Sequence, residues 1–278
     1  LLACAKALEA LQNIGIQLRG DVICQSVVNE EHAGNGTLAC VAKGYTADAA
    51  ICTDGGIAIK TESGGGIYWQ IRVTGREIHT GGRWRGSRMH GVSAIEKAAK
   101  IIDALCKAEQ QANEESVRLS LGIGTIQGGS YATSTAASCS VSGVVYFSAA
   151  MGVGAAGIQA VKTLLRNAVE SVTQSDEWLQ EHKPELTFTH YDDAYVYPEG
   201  HELLPLLQAA GEDMLGKPMA MGTTSACDAR HLGNQGGIPC LVCGPGTGPA
   251  HAANEFIDEE VYLNYIKLLA LTVYRWCG

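Results

Sequence analysis

The chain has 278 residues, 46% of them hydrophobic and 18% charged, with a formal net charge of −9. That length and apolar fraction describe a globular protein with room for one large or two ordinary cores, and exclude a disordered chain. The acidic balance argues against a general binder of nucleic acid or anionic membrane, either of which needs a basic footprint. No apolar run reaches the length of a membrane span and no signal peptide is present, so a cytoplasmic location is expected.

The first element is a helix over "LLACAKALEALQNIG", where Cys4, Leu8, Leu11 and Ile14 recur at helical spacing and Gly15 stops the run. A helix that begins at the first residue, without an initiator Met, reads as a chain cut upstream. Next comes an expected strand from Val22 to Val28, ending in Glu30 and Glu31 within "VICQSVVNEEHAGNGT". Adjacent carboxylates repel, so the pair is kept either as a solvated loop or because something cationic lies against it. The end of a strand favours the second reading, because open α/β sheets collect ligand sites there. A short helix follows near Thr37, then "DAAICTD", a strand ending in Asp54. This rhythm indicates a mainly parallel, helix-covered sheet.

After "TESGGG" the pattern changes. "IYWQIRV" reads as a strand, "GVSAIEKAAKIIDALCKAEQQA" as an amphipathic helix, and "VRLSLGIGTIQGG" and "CSVSGVVYF" as strands. "AAGIQAVKTLLRNAVESVTQSDEWLQEH" reads as a second helix and "ELTFTH" as a last strand. Two β-α-β halves describe a ferredoxin-like α+β insert. The alternation then resumes with a helix at "ELLPLLQAAGEDML", a strand at "GIPCLVCGPG" and a closing helix at "EEVYLNYIKLLALTVYRWC". The expected organisation is an α/β domain over 1–63 and 192–278, interrupted by an α+β domain over 64–191.

The 10 cysteines are scattered through apolar segments and read as buried thiols of a reducing compartment. Cys240 and Cys243 form a C-x-x-C with no second pair, which gives little support to zinc or redox use. "GPGTGP" lacks the ending of a phosphate loop and "GIGTIQGG" lacks the following helix of a dinucleotide site. Six histidines (His32, His90, His182, His190, His201 and His231) receive no role, and the four tryptophans read as packing.

Glu30, Glu31, Asp54 and His251, the last in "GPGTGPAHAANEF", would meet at one sheet edge if their strands are neighbours. Carboxylates plus an imidazole suit Zn²⁺, with Co²⁺ or Mn²⁺ as substitutes. A second, unligated glutamate beside a ligand can pass a proton from water to a leaving amine.

The ordered motifs "VVNEEHAGNGT", "YTADAAICTD", "VTGREIHTGG", "GTIQGG", "TTSACDAR" and "GIPCLVCGPGTGPAHAANEFI" resemble the M20 metallopeptidase and amidohydrolase family across essentially the whole chain. That family includes acetylornithine deacetylase, succinyl-diaminopimelate desuccinylase, aminoacylase and carboxypeptidase G2-like enzymes. The resemblance implies a zinc-peptidase-like catalytic domain with a lid and dimerisation insert, and two zinc ions. It makes Glu30 the general acid/base, Glu31, Asp54 and His251 metal ligands, and His79 an oxyanion-stabilising residue that reaches a partner's site in a homodimer. Arg230 and the backbone of Gly244 and Gly246 fall where the substrate is held. The implied reaction is hydrolysis of an amide bond in an N-acyl amino acid or small peptide; a dipeptidase and a metal-free scaffold are the alternatives.

The departures are specific. The family's His-x-Asp and bridging Asp have no counterpart here, so this polypeptide is expected to hold metal poorly. Thr133 and Ala136 replace the Asn and Pro of "GGxxxNVxP", and Tyr146 replaces an Arg that grips substrate carboxylate bidentately in relatives.

Overall fold

The protein is described by a computed structural model over residues 1–115 and 118–278. Its elements in chain order are α1 (Leu2–Asn13), α2 (Asn35–Ala42), β1 (Ala50–Cys52), β2 (Ile59–Ser63), β3 (Gly65–Thr74), the hairpin β4 (Trp84–Arg85) and β5 (Arg88–Met89), and α3 (Ala94–Glu114). They continue with β6 (Leu119–Gly128), β7 (Ser138–Phe147), α4 (Ala155–Ser175), α5 (Glu177–Glu181), β8 (Glu185–Asp192) and β9 (Tyr195–Val196). The chain ends with α6 (Leu203–Leu215), β10 (Met221–Thr224), β11 (Cys240–Val242) and α7 (Glu259–Cys277). They form two compact units, Leu1–Ser63 with Tyr195–Gly278, and Gly64–Ala194.

The first unit is built on a mixed sheet of order β1-β11-β2-β10, with β9 added beside β2. β1 pairs with β11 and β2 with β10 in parallel, whereas β11–β2 and β2–β9 are antiparallel. All three residues of β11 are buried, as expected of a strand covered on both faces. Helix α1 presents Ala3, Ala7 and Leu11 to this core at four-residue spacing, and α6 adds Leu203, Leu207 and Ala210. Helix α7 contributes Tyr265, Leu268 and Leu269. Its start is capped by Asp258, whose carboxylate accepts from the Glu260 and Val261 amides, with acids in the first turn and Arg275 in the last.

The second unit is a β-α-β-β-α-β arrangement with an antiparallel sheet of order β6-β7-β3-β8. Period-2 burial along β3 sends Ile67, Trp69, Ile71 and Val73 into the core. They meet Ala94, Ala98, Ile101 and Leu105 of α3 and Ile158, Val161 and Leu165 of α4. Gly143 is required in β7: a Cβ there would lie 1.9 Å from the Gly122 carbonyl oxygen and 2.8 Å from the Trp69 ring.

Several expectations need correction. Residues 22–28 form no strand, because they find no ladder partner and Ile23 and Val28 lie exposed. The glutamate pair therefore follows an unpaired segment rather than a strand end. The first unit's sheet is mixed, where a mainly parallel one was expected. The helix read through residue 182 breaks at Asp176, whose extended backbone (φ −129°, ψ 110°) ends α4 and whose side chain caps α5. Val117, the first residue of one expected strand, lies outside the described residues. Two of the cysteines expected to be buried, Cys24 and Cys106, are exposed.

Candidate active site

The glutamate pair sits in a turn closed on Asn29, whose carbonyl accepts from the amides of Ala33 (3.2 Å) and Gly34 (2.8 Å). Asn29 itself holds φ 65°, in the left-handed region where asparagine is tolerated. Gly34 shares that conformation at φ 64°, and a Cβ on it would lie 2.1 Å from Asp228 Oδ1 and 2.7 Å from the His231 ring. Only glycine lets the turn press this closely on the segment from Cys227 to Gln235.

That segment grips the turn from the other side. Asp228 Oδ2 accepts from the Thr37 hydroxyl at 2.6 Å, Arg230 Nη2 donates to the Ala33 carbonyl at 2.9 Å, and His231 Nε2 lies 3.0 Å from the same oxygen. Asp228, Arg230 and His231 are all buried. His231, expected to have no role, is thus a structural anchor, and Arg230 with Asp228 is not a solvated surface pair. The clue available in "SACDARHLG" is a run of charged residues set among small apolar ones, a composition that suits burial with paired charges.

The electrostatic consequence falls on Glu30, which is half-buried. Burial pushes its carboxyl up, and the negative charges of Asp54, Asp228 and Glu31 push it further, against the pull of Arg230; the result is about 7. A carboxyl poised there accepts and returns a proton near neutrality, as a general acid/base must. Asp54, two residues beyond β1, is also half-buried, and its Oδ1 accepts from the Gly55 amide at 2.6 Å.

Glu31 and His251 come together, with His251 Nδ1 3.7 Å from Glu31 Oε2 and both side chains 78% exposed. His251 holds φ 57° and Asn254 φ 62°. Donors bound about 2.0–2.2 Å from a tetrahedral zinc lie roughly 3.3 Å apart, so this pair is close to the spacing of two ligands. Zinc needs at least three protein donors, however, and among the described residues no group of three or more His, Cys, Asp or Glu side chains is gathered to hold an ion. The donors present do not enclose a metal by themselves.

Gly244 and Gly246 have their amides engaged with the Gly56 carbonyl (3.1 Å) and the Gly55 carbonyl (2.8 Å), so these amides join two loops. Cys240 and Cys243 are buried; burial pushes the Cys243 thiol up to about 12 and the Cys240 thiol higher still, which leaves both protonated and unreactive. His79 belongs to the Gly64–Ala194 unit, where it is exposed and caps a short 3₁₀ turn by accepting from the Gly81 amide at 3.1 Å. Tyr146 is exposed on β7 across from Gly66, where a Cβ would lie 3.2 Å from the tyrosine ring.

The chain matches the peptidase family M20/M25/M40 over residues 1–275. It belongs to that family. Two curated relatives are N-formyl-4-amino-5-aminomethyl-2-methylpyrimidine deformylases, from Halalkalibacterium halodurans and Bacillus subtilis. Each is 29% identical, over all of this chain and 69% of the relative. Among solved structures, a tripeptidase from Staphylococcus aureus superposes with a TM-score of 0.76 at 17% identity, over 98% of this chain and 69% of that one. Aminopeptidase PepT from Bacillus cereus gives 0.72 at 16%, over 99% and 70%. At those identities the superpositions show a shared α/β fold with mixed sheets. Among the described residues of this M20 chain, no helix is long and apolar enough to cross a membrane.

Proposed function

We propose that this M20 chain carries the proton-transfer machinery for hydrolysing an amide bond in a small N-acyl compound. The observation that supports this most is Glu30: a half-buried carboxyl at about 7, beside the Glu31–His251 pair, in a turn held by buried Asp228, Arg230 and His231. Glu30 takes a proton from the attacking water and returns it to the departing amine, which turns a poor anionic leaving group into a neutral one. Glu31 with His251, and Asp54 separately, are assigned as ligands of divalent metal, zinc or a substitute, at two positions that each need further donors to close. His79 is assigned to the oxyanion, contributed across a homodimer by the Gly64–Ala194 unit acting as a ferredoxin-like lid and dimerisation domain. Arg230 acts on the substrate only through the turn it anchors, and Gly244 and Gly246 through the loop they stitch.

The substrate is an N-formyl or other N-acyl amine without a carboxylate rather than an N-acyl amino acid. The relatives named for their activity deformylate an aminomethylpyrimidine, and Tyr146 stands where an arginine would hold a carboxylate. The test is turnover, with Zn²⁺, Co²⁺ or Mn²⁺ supplied, of an N-formyl aminomethylpyrimidine, an N-acetyl amino acid and a tripeptide. The formamide is expected to be preferred at least tenfold, and Glu30→Gln to lose at least a hundredfold of that rate with metal content unchanged. A Glu30→Gln protein within threefold of the parent would refute the proton-transfer role.

A further inference from the structure

Lys60 is a buried cation that the reaction described above does not use. It lies on β2, 9% exposed, directly across from Val242 at the end of β11. Burial lowers its proton affinity, against the opposing pull of Cys243, Asp54, Cys227 and Cys52. Desolvating an ammonium is unfavourable, and an apolar side chain of similar length would pack there without that cost.

The ammonium lies at the junction of two loops. Lys60 Nζ donates to the Gly56 carbonyl, which also accepts from the Gly244 amide at 3.1 Å, so both lone pairs of that oxygen are filled from different directions. Around it the turn after β1 is joined to the segment after β11. The Gly246 amide donates to the Gly55 carbonyl (2.8 Å), the Cys243 amide to the Cys52 carbonyl (3.0 Å), and the Cys243 thiol to the Ile57 carbonyl (3.2 Å). The approach is as close as glycine permits: a Cβ on Gly244 would lie 2.4 Å from the Gly55 oxygen and 2.7 Å from the Asp54 oxygen, and one on Gly55 would lie 3.1 Å from Lys60 Nζ. Gly55, at φ 65°, makes the bend and donates its amide to Asp54 Oδ1, which orients that carboxylate.

We propose that Lys60 is a positioning residue: bound to the Gly56 carbonyl, its ammonium locks the Asp54–Ile57 turn onto the Cys243–Gly246 segment and so fixes where the Asp54 carboxylate is presented. This rests on the reading that Asp54 and Glu30 belong to the working end of the molecule. Lys60 touches no reacting atom; it acts through the turn. An apolar replacement leaves the strand packed but the Gly56 carbonyl held by one donor, so the turn opens more often while the sheet stays closed.

The test uses the full chain carrying Lys60→Met, with Lys60→Arg as the variant that keeps a cationic donor, read first by amide hydrogen exchange without substrate. In Lys60→Met the amides of Gly55, Gly244 and Gly246 are expected to exchange at least tenfold faster, while those of α6 and α7 stay within twofold of the parent. Lys60→Arg is expected to recover at least half of the lost protection on a logarithmic scale. With an N-formyl amine as substrate, kcat is expected to fall at least twentyfold in Lys60→Met with KM within twofold. Parental exchange at the three glycines in Lys60→Met overturns the proposal, and so does an equal loss of protection across the helices, which marks plain core damage. If Lys60→Met does not fold, Lys60→Gln, too short to reach the Gly56 carbonyl, is read by the same criteria. Should the parent hydrolyse no amide, the exchange result still decides the role of Lys60, and only the activity reading falls.

Discussion

Replacing Asp176 by asparagine tests the electrostatics of the Gly64–Ala194 unit quantitatively. The carboxylate is nearly inaccessible, at 4% side-chain exposure, and both its oxygens accept from Lys97 Nζ at 2.8 and 2.7 Å. Lys100 Nζ adds a third contact at 2.9 Å, and the Leu179 amide donates at 3.3 Å. Burial alone would push this carboxyl up; the two lysines and the Leu179 amide more than reverse that, taking it from 3.8 to about 2. At about 1.36 kcal/mol per pKa unit, the ionised form contributes roughly 2.4 kcal/mol of stability. Because the folded-state value is the lower one, that contribution is complete well above pH 4, about half lost by pH 3 and nearly gone at pH 2. Asp176→Asn keeps a side-chain oxygen for the α5 cap but leaves Lys97, at 11% exposure, without its counter-charge. The expected cost at pH 7 is about 3 kcal/mol, near the lower end for breaking a buried pair. Urea unfolding followed by tryptophan fluorescence measures it, since Trp69, Trp84 and Trp178 lie in this unit and only Trp276 in the other. The gap between parent and variant should narrow as pH falls from 5 to 3. A gap below about 1 kcal/mol at pH 7, or one that does not change with pH, would refute this account of the buried pair.

Three other substitutions or treatments have definite expected outcomes. Gly143→Ala drives a methyl against the Gly122 carbonyl and Trp69, and should lower stability by more than about 2 kcal/mol in the same urea assay. Gly34→Ala meets both a left-handed φ and the Asp228 carboxylate; it should lift the Glu30 turn from its anchor, with amide turnover falling at least tenfold and the α3 and α4 amides keeping parental hydrogen exchange. Brief alkylation of the native protein should modify Cys24 and Cys106 first and spare Cys240 and Cys243, as peptide mass spectrometry would show; early labelling of the buried pair would contradict their placement.

Regular elements with long repeats were readable from residue spacing. The helix expected over 91–112 forms as α3, Ala94–Glu114, because its apolar residues repeat at the helical period over several turns. The strand "CSVSGVVYF" forms as β7 for the corresponding reason at period two. Short strands were less visible: β2, β9 and β10 have 5, 2 and 4 residues and no alternation long enough to register. The segment at 22–28 shows the opposite failure, since β-forming composition does not supply a partner. In the site, the glutamate pair stood out because adjacent like charges beside a glycine turn are costly without a reason. Asp228 and His231 did not, because the residues they hold, Thr37 and Ala33, lie nearly two hundred positions away.

Residue order alone determined the family, through motifs spread along nearly the whole chain, and the identity of the groups able to do chemistry. Which of those groups meet was decided only in three dimensions. The pressing of Gly34 on Asp228, the raised affinity of Glu30 for a proton and the sharing of the Gly56 carbonyl by Lys60 and Gly244 all arise between segments remote in sequence. The physical reason is that desolvation and charge coupling depend on distance through the folded body, a quantity that no local spacing encodes.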